Sequence, residues 1–139
     1  MDDRFTPFRK PVYWLLLPAL VLLTGVVTSE ARAQSMARAA QGQKIYFKVC
    51  VQCHTLQEKD QPSGPGLAGV LDRVPSEEWF MAYLEDPKRM RESGDSYVQK
   101  ISGEYPLKMP NLKVMQDESN RQAILTFLKQ MRKQNKSRR

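Results

Sequence analysis

Apolar residues recur along this chain in three different spacings. The first is continuous: Val12 to Val27, "VYWLLLPALVLLTGVV", carries no charge, and Arg4, Arg9 and Lys10 precede it. The second is helical. In "MARAAQGQKIYFKV", Ile45 and Val49 are four apart and Tyr46 lies four after Gly42, which predicts a helix from about Met36 to Val49. In "EEWFMAYLE", Ser76 is placed to cap a helix whose first turn holds Glu77 and Glu78, and Pro87 is expected to end it. A last helix is expected from near Asp117, because Ile124, Phe127, Leu128 and Met131 follow at i, i+3, i+4 and i+7. The third spacing is irregular. Gln57 to Gly69 holds Pro62, Gly64, Pro65, Gly66 and Gly69 and reads as loop. From Arg91 to Leu112 the pattern weakens, with a short helix around Ser96 to Ile101 and an extended stretch held by Pro106 and Pro110. No segment alternates as a strand does, so the fold class is all-α with long loops.

The continuous run changes the picture of the first third. Basic residues, an apolar stretch and then "TSEARA", with Ala31 and Ala33 two apart, are in the order of a secretory signal peptide cut after Ala33. The rival is an uncleaved anchor. A run of 16 residues interrupted by Pro18 is short for a span, which needs about 20. Either way the remainder leaves the cytoplasm, and membrane contact is expected only if the segment is retained. The division expected is 1–33 signal peptide, 34–131 one domain and 132–139 a basic tail.

Charge is uneven. From Gln34 to Leu128 there are twelve Lys/Arg and twelve Asp/Glu; "KQMRKQNKSRR", Lys129 to Arg139, adds six basic residues and no acid. A basic end without interleaved aromatics on an exported chain argues against nucleic acid as a partner. It suits partners with acidic surfaces.

The exported part, Gln34 to Arg139, is 106 residues, short for a self-sufficient core. The whole chain holds two Cys and one His, and all three fall within Cys50-Val51-Gln52-Cys53-His54, "CVQCH". A disulfide across so small a loop stabilises little. A structural zinc needs four Cys/His-type ligands, and the chain has three. A thiol redox pair expects a βαβ setting, and no strand signal precedes the motif. Covalently attached haem c fits: Cys50 and Cys53 can form thioethers with the vinyl groups, and His54 directly after them becomes an axial ligand. Only one such group can be held.

These residues resemble a class I cytochrome c, a small monohaem electron carrier, over about Ala39 to Met131. "GQKIYFKVCVQCHT" is similar to the family's first helix running into its haem site, "GPGLAGV" to the loop after it and "MPNL" to its distal ligand segment. The resemblance implies about three to five helices around the haem, with the first and last packed together through Gly42, Tyr46, Ile124 and Phe127. It also implies that the Pro65 carbonyl receives the second ring nitrogen of His54.

The sixth ligand is open to a partial derivation. With one His, a second imidazole from this chain is excluded, and Met is the common alternative. Met81 and Met131 sit on apolar helical faces, Met36 lies at the processed end, and Met109 stands in an extended stretch before Pro110. The resemblance points to Met109. Met90, Met115 and an open site remain the alternatives. Trp79 and Tyr105 are candidate donors to a haem propionate, Trp79 also fitting helix-face packing. The expected function is a periplasmic monomeric carrier of single electrons between respiratory or dehydrogenase partners. The alternatives are a haem subunit docked to an oxidoreductase or oxidase complex, and a haem sensor or peroxidase with an open sixth site. No catalytic residue is expected.

Overall fold

The structure, a computed structural model, describes residues 13–137 in backbone, and side chains from Ser29 onward except Lys136. The basic residues that open the expected signal peptide, the start of its apolar run, and Arg138 and Arg139 of the tail lie outside the described residues. Two units are distinguished, Met1–Gln34 and Ser35–Arg139. Helix α1 runs Tyr13–Lys48 and contributes to both. It therefore starts well before the expected Met36. The intervening "SEARAQ" contains no Gly or Pro, so nothing in it stops a helix. Residues 29–38 are exposed, and among the described side chains the first buried one is Ala39. Among the described residues, no helix is long and apolar enough to cross a membrane.

The second unit is all-α. After α1 come 3-10 turns at Cys50–Gln52 and Val70–Asp72, helices α2 Glu77–Glu85, α3 Pro87–Glu92 and α4 Ser96–Glu104, a 3-10 turn at Lys113–Gln116, and α5 Glu118–Ser137. Among the described residues there is no strand, only an isolated antiparallel bridge between Gln61 and Gly64. Local chemistry accounts for the boundaries. The Ser76 hydroxyl accepts from the Trp79 N–H at 3.1 Å and starts α2. Asp86 accepts from the Arg89 N–H at 2.9 Å and starts α3, with Pro87 as its first residue. So Pro87 does follow the end of α2, but it opens a new helix. Asp95 caps α4 through the Val98 N–H at 2.8 Å. The basic segment Arg132 to Ser137 is the last part of α5, so helix continues through most of the expected tail.

The core joins the two ends of the unit. Ile45 and Tyr46 of α1, Phe80 and Leu84 of α2, Met115, and Ala123, Ile124, Leu125, Phe127 and Leu128 of α5 form one buried cluster. Helices α1 and α5 approach backbone to backbone at Gly42. A Cβ there would lie 2.0 Å from the Ala123 carbonyl oxygen, so no larger residue fits without separating the helices. Beside that crossing the Tyr46 and Phe127 rings are 6.0 Å apart, and Gln41 Nε2 donates to Asn120 Oδ1 at 2.9 Å. Arg121, nearly buried, donates to the Met115 carbonyl at 2.6 Å and pairs with Glu85 at 3.6 Å, which ties α5 to the preceding turn and to the end of α2.

Candidate functional site

Helix α1 ends at Lys48, and the chain turns at once. The Cys53 and His54 N–H groups both donate to the Cys50 carbonyl, at 3.1 and 2.9 Å. This tight turn carries both thiols and the imidazole out of one helix end. Both cysteines are half-buried, and no disulfide joins them. Burial, and then the neighbouring Cys53, push the Cys50 thiol up to about 11, so it stays protonated at neutral pH.

The imidazole is fixed from several directions. His54 Nδ1 lies 2.8 Å from the Pro65 carbonyl oxygen. A carbonyl can only accept, so Nδ1 carries a proton and donates; in the neutral ring that leaves the lone pair on Nε2. That is the tautomer a metal requires. The motif's own backbone is held by Tyr46, whose hydroxyl donates to the His54 carbonyl at 2.8 Å, and by Ser63, which donates to the Cys53 carbonyl at 3.0 Å. Gly64 passes so close that a Cβ would sit 2.9 Å from His54 Cε1 and 3.0 Å from the Cys53 carbonyl oxygen. Glycine there is a requirement of space. The loop is closed by Gln61 and Gly64 and by Asp60, which accepts from the Gly66 N–H at 3.0 Å. Arg73 clamps its return by donating to the carbonyls of Gly66 and Ala68.

In front of the motif are two cavities of about 430 and 170 Å³. Cys50, His54, Tyr83, Tyr105 and Met109 line both. The larger is walled mainly by apolar side chains, among them Leu67, Val70, Phe80, Ile124 and Leu128, and its size is ordinary for a cofactor site of roughly 300–1,000 Å³. Met109 is half-buried in the stretch between α4 and the last 3-10 turn, and shares these cavities with His54. Met90 and Met115 line neither, and Met115 is core at 1% exposure. The thiols, the Nε2 lone pair, the thioether and the apolar wall together fit a covalently attached haem.

The two propionate candidates both line the larger cavity and make hydrogen bonds within the protein. Trp79 stacks on Tyr83 with ring centroids 5.1 Å apart, meets Tyr97 edge-on, and donates from Nε1 to Asp95 at 3.0 Å. Its indole N–H thus serves the start of α4. Tyr105 donates to Asp60 at 2.6 Å and joins the loop after the motif to the stretch before Met109. That bond and the Gly66 N–H hold the Asp60 carboxyl below its usual range, whereas burial and then Asp60 push the Tyr105 hydroxyl up to about 12. Sequence reasoning missed Arg73 and Tyr83. The i, i+4 spacing of Trp79 and Tyr83 offered a signal for the second, but nothing in the sequence tells which carbonyls an arginine will reach.

The family profile described as Cytochrome c matches residues 39–132. Among solved structures, the chain is similar to a cytochrome c from Rhodothermus marinus, at 26% identity and a TM-score of 0.63, covering 71% of this chain and 80% of that one. An engineered form of that protein, bound to the carbene intermediate 1-ethoxy-1-oxopropan-2-ylidene, matches at 26% identity and a TM-score of 0.59, covering 70% and 80%. The cytochrome c domain of the pp3183 protein from Pseudomonas putida shares the fold at 24% identity and a TM-score of 0.59, covering 69% and 92%. A comparison with curated proteins found no match.

Proposed function

The chain belongs to the cytochrome c family and carries one covalently attached haem c, and from that premise we propose a periplasmic carrier of single electrons with its iron held between His54 and Met109. Bound there, the haem supplies a one-electron couple. The residues supply everything else. Cys50 and Cys53 hold the group in place. Pro65 keeps Nδ1 of His54 protonated and Nε2 free for iron. Met109 would close the sixth position with a thioether, and His/Met ligation in a mostly apolar cavity favours a raised potential. With that position filled, no substrate has access to the metal.

The observation that carries this reading is that one cavity is lined both by an imidazole with its Nε2 free and by Met109, while Met90 and Met115 stand outside it. Export is supported by the order of segments before Gln34. Acidic partners are supported by the basic end of α5, though part of that charge is answered within the fold: Lys129 pairs with Glu77 at 2.6 Å, and Arg132 pairs with Asp72. The remaining basic residues, from Lys133 onward, are the ones that would steer a partner.

The test is the visible spectrum of the purified holoprotein, oxidised and reduced. Low-spin six-coordinate iron in both states is expected. A high-spin oxidised spectrum would move the reading to a sensor or peroxidase with an open site.

A further inference from the structure

We propose that α3 is a brace for the sulfur ligand, with Arg91 and Asn111 as the residues that position Met109. This rests on the reading that Met109 binds iron.

The stretch from Tyr105 to Leu112 has no helix or strand to define it. Pro106 and Pro110 remove two N–H donors from it. It also packs little: Leu107 is 60% exposed, and Pro106, Lys108, Pro110 and Asn111 are exposed as well. The prolines fix the local backbone shape, but with no helix or strand ladder the stretch takes its place in the fold from side-chain bonds and from the packing of Met109 and Leu112 on the core.

Tyr105 is tied to Asp60 and Lys108 to Ser102 before Met109, and the bonds on Met109 and just after it converge on one short helix. Arg91 Nη1, near the end of α3, donates to the carbonyl of Met109 itself at 3.0 Å. Two residues on, Asn111 Nδ2 donates to Asp86 Oδ1 at 2.8 Å, and Asn111 Oδ1 accepts from the Lys88 N–H at 3.2 Å. The two ends of α3 therefore hold the Met109 carbonyl and the Asn111 side chain. The Asn111 amide is used in both directions, so its orientation is set.

The brace is anchored in turn. Pro87 is fully buried, Asp86 caps α3 through the Arg89 N–H, and Gln99 Nε2 of α4 donates to the Arg91 carbonyl at 2.8 Å. Tyr83, which lines both cavities, lies close enough to Arg91 for the guanidinium to favour ionisation of its hydroxyl against the larger effect of burial. The chain after Asn111 is fixed separately: Gln116 Nε2 donates to the Glu85 carbonyl at 2.7 Å, and Arg121 holds Met115. Release of the Arg91 and Asn111 contacts leaves Met109 held only by its packing on the core and by the Tyr105–Asp60 bond, without freeing the core.

Exogenous imidazole reports the effect, because it binds iron only when the thioether has left. The fraction of open molecules sets its apparent affinity. Imidazole is titrated into the oxidised holoprotein of the wild type and of Arg91→Leu, Arg91→Lys, Asn111→Ala and, as a control, Ser76→Ala, which removes a helix cap away from Met109. Arg91→Leu is expected to bind imidazole about tenfold or more tightly, as follows from loss of a hydrogen bond to a charged donor. Asn111→Ala, an exposed position that leaves folding intact, should shift it in the same direction, and Arg91→Lys should recover part of the wild-type resistance. Ser76→Ala should lower thermal stability and leave imidazole binding unchanged. In a Met109→Ala background, Arg91→Leu should add nothing. Wild-type imidazole affinity in both Arg91→Leu and Asn111→Ala, with the near-infrared methionine-to-iron band present in the wild type, overturns the brace alone. Absence of that band from the wild type overturns the reading of Met109 and the brace with it.

Discussion

The two walls of the cavity are built in opposite ways. The wall with Cys50, Cys53 and His54 is made from within one stretch of chain. Its bonds join Cys50 to His54, Tyr46 to His54, Ser63 to Cys53 and Pro65 to His54, and none spans more than 11 residues. The wall with Met109 is made from outside. Its bonds come from Arg91, 18 residues away, and from Asp86, 25 residues from Asn111. Turn chemistry sets the first wall as soon as the chain leaves α1, whereas the second takes its shape only when α3 is in place. The difference teaches where each wall should fail. The first is sensitive to the volume of single residues, the second to the loss of distant donors.

Loss of the group that both walls enclose should have the largest effect. Cys50→Ser with Cys53→Ser is expected to abolish covalent haem and most cooperative folding, because the larger cavity would be left unfilled beneath Phe80, Ile124 and Leu128. A haem-stained denaturing gel beside circular dichroism measures both. A helical, cooperative protein without haem would show that the second unit needs no cofactor to fold.

Next in size is a test of the first wall alone. Gly64→Ala places a methyl 2.9 Å from His54 Cε1 and should destabilise the holoprotein by about 1–3 kcal/mol, the usual cost of overpacking. Denaturant unfolding checks it. An unchanged midpoint would mean that the loop moves aside freely.

A smaller effect belongs to the bond that joins the walls, Tyr105 to Asp60. Asp60 is held below its usual range, so its contribution is present above the unfolded carboxyl value and is lost as pH falls through the lower folded one. Tyr105 is pushed up to about 12, so its contribution is present below the ordinary tyrosine value and is lost as pH rises through about 12. The wild type should therefore exceed Asp60→Asn in melting temperature by a constant margin at neutral pH, with the margin shrinking under acid and under strong alkali. Both residues are largely solvated, so the margin should be small. A margin that does not change with pH contradicts the assignment.

The smallest structural effect is expected from deletion of Lys133 to Arg139, which leaves the Arg132–Asp72 pair intact. Spectrum and stability should hardly change. Electron transfer to an acidic partner should slow and depend less steeply on salt. If rate and salt dependence both stay as in the full-length protein, the tail does not steer.

The same contrast explains what could be read from the sequence. The motif, the cap at Ser76 and the apolar face of α5 are local patterns and were legible. The crossing at Gly42 was legible only through the family resemblance, and the structure supplies its reason, a close approach that leaves no room for a Cβ. The start of α1 was not, since the stretch before Met36, "SEARAQ", offers no Gly or Pro to mark a boundary. Pro87 was read as a stop, although Asp86 before it and the Arg89 N–H after it make a start, and that signal was present. The Tyr105 bond to Asp60 was not legible, because its partner lies 45 residues away. Arg91 could not be found at all, because its partner is a backbone carbonyl 18 residues away and any side chain presents the same carbonyl.

The central claim is that Met109 completes the second wall as the sixth ligand. The near-infrared spectrum of the oxidised holoprotein tests it most directly, recorded for the wild type, Met109→Ala, Met90→Ala and Met115→Ala. The account predicts a weak methionine-to-iron band in the wild type, kept in Met90→Ala and Met115→Ala and lost in Met109→Ala with the haem still attached. A band that survives in Met109→Ala, or disappears in one of the other two, would contradict it.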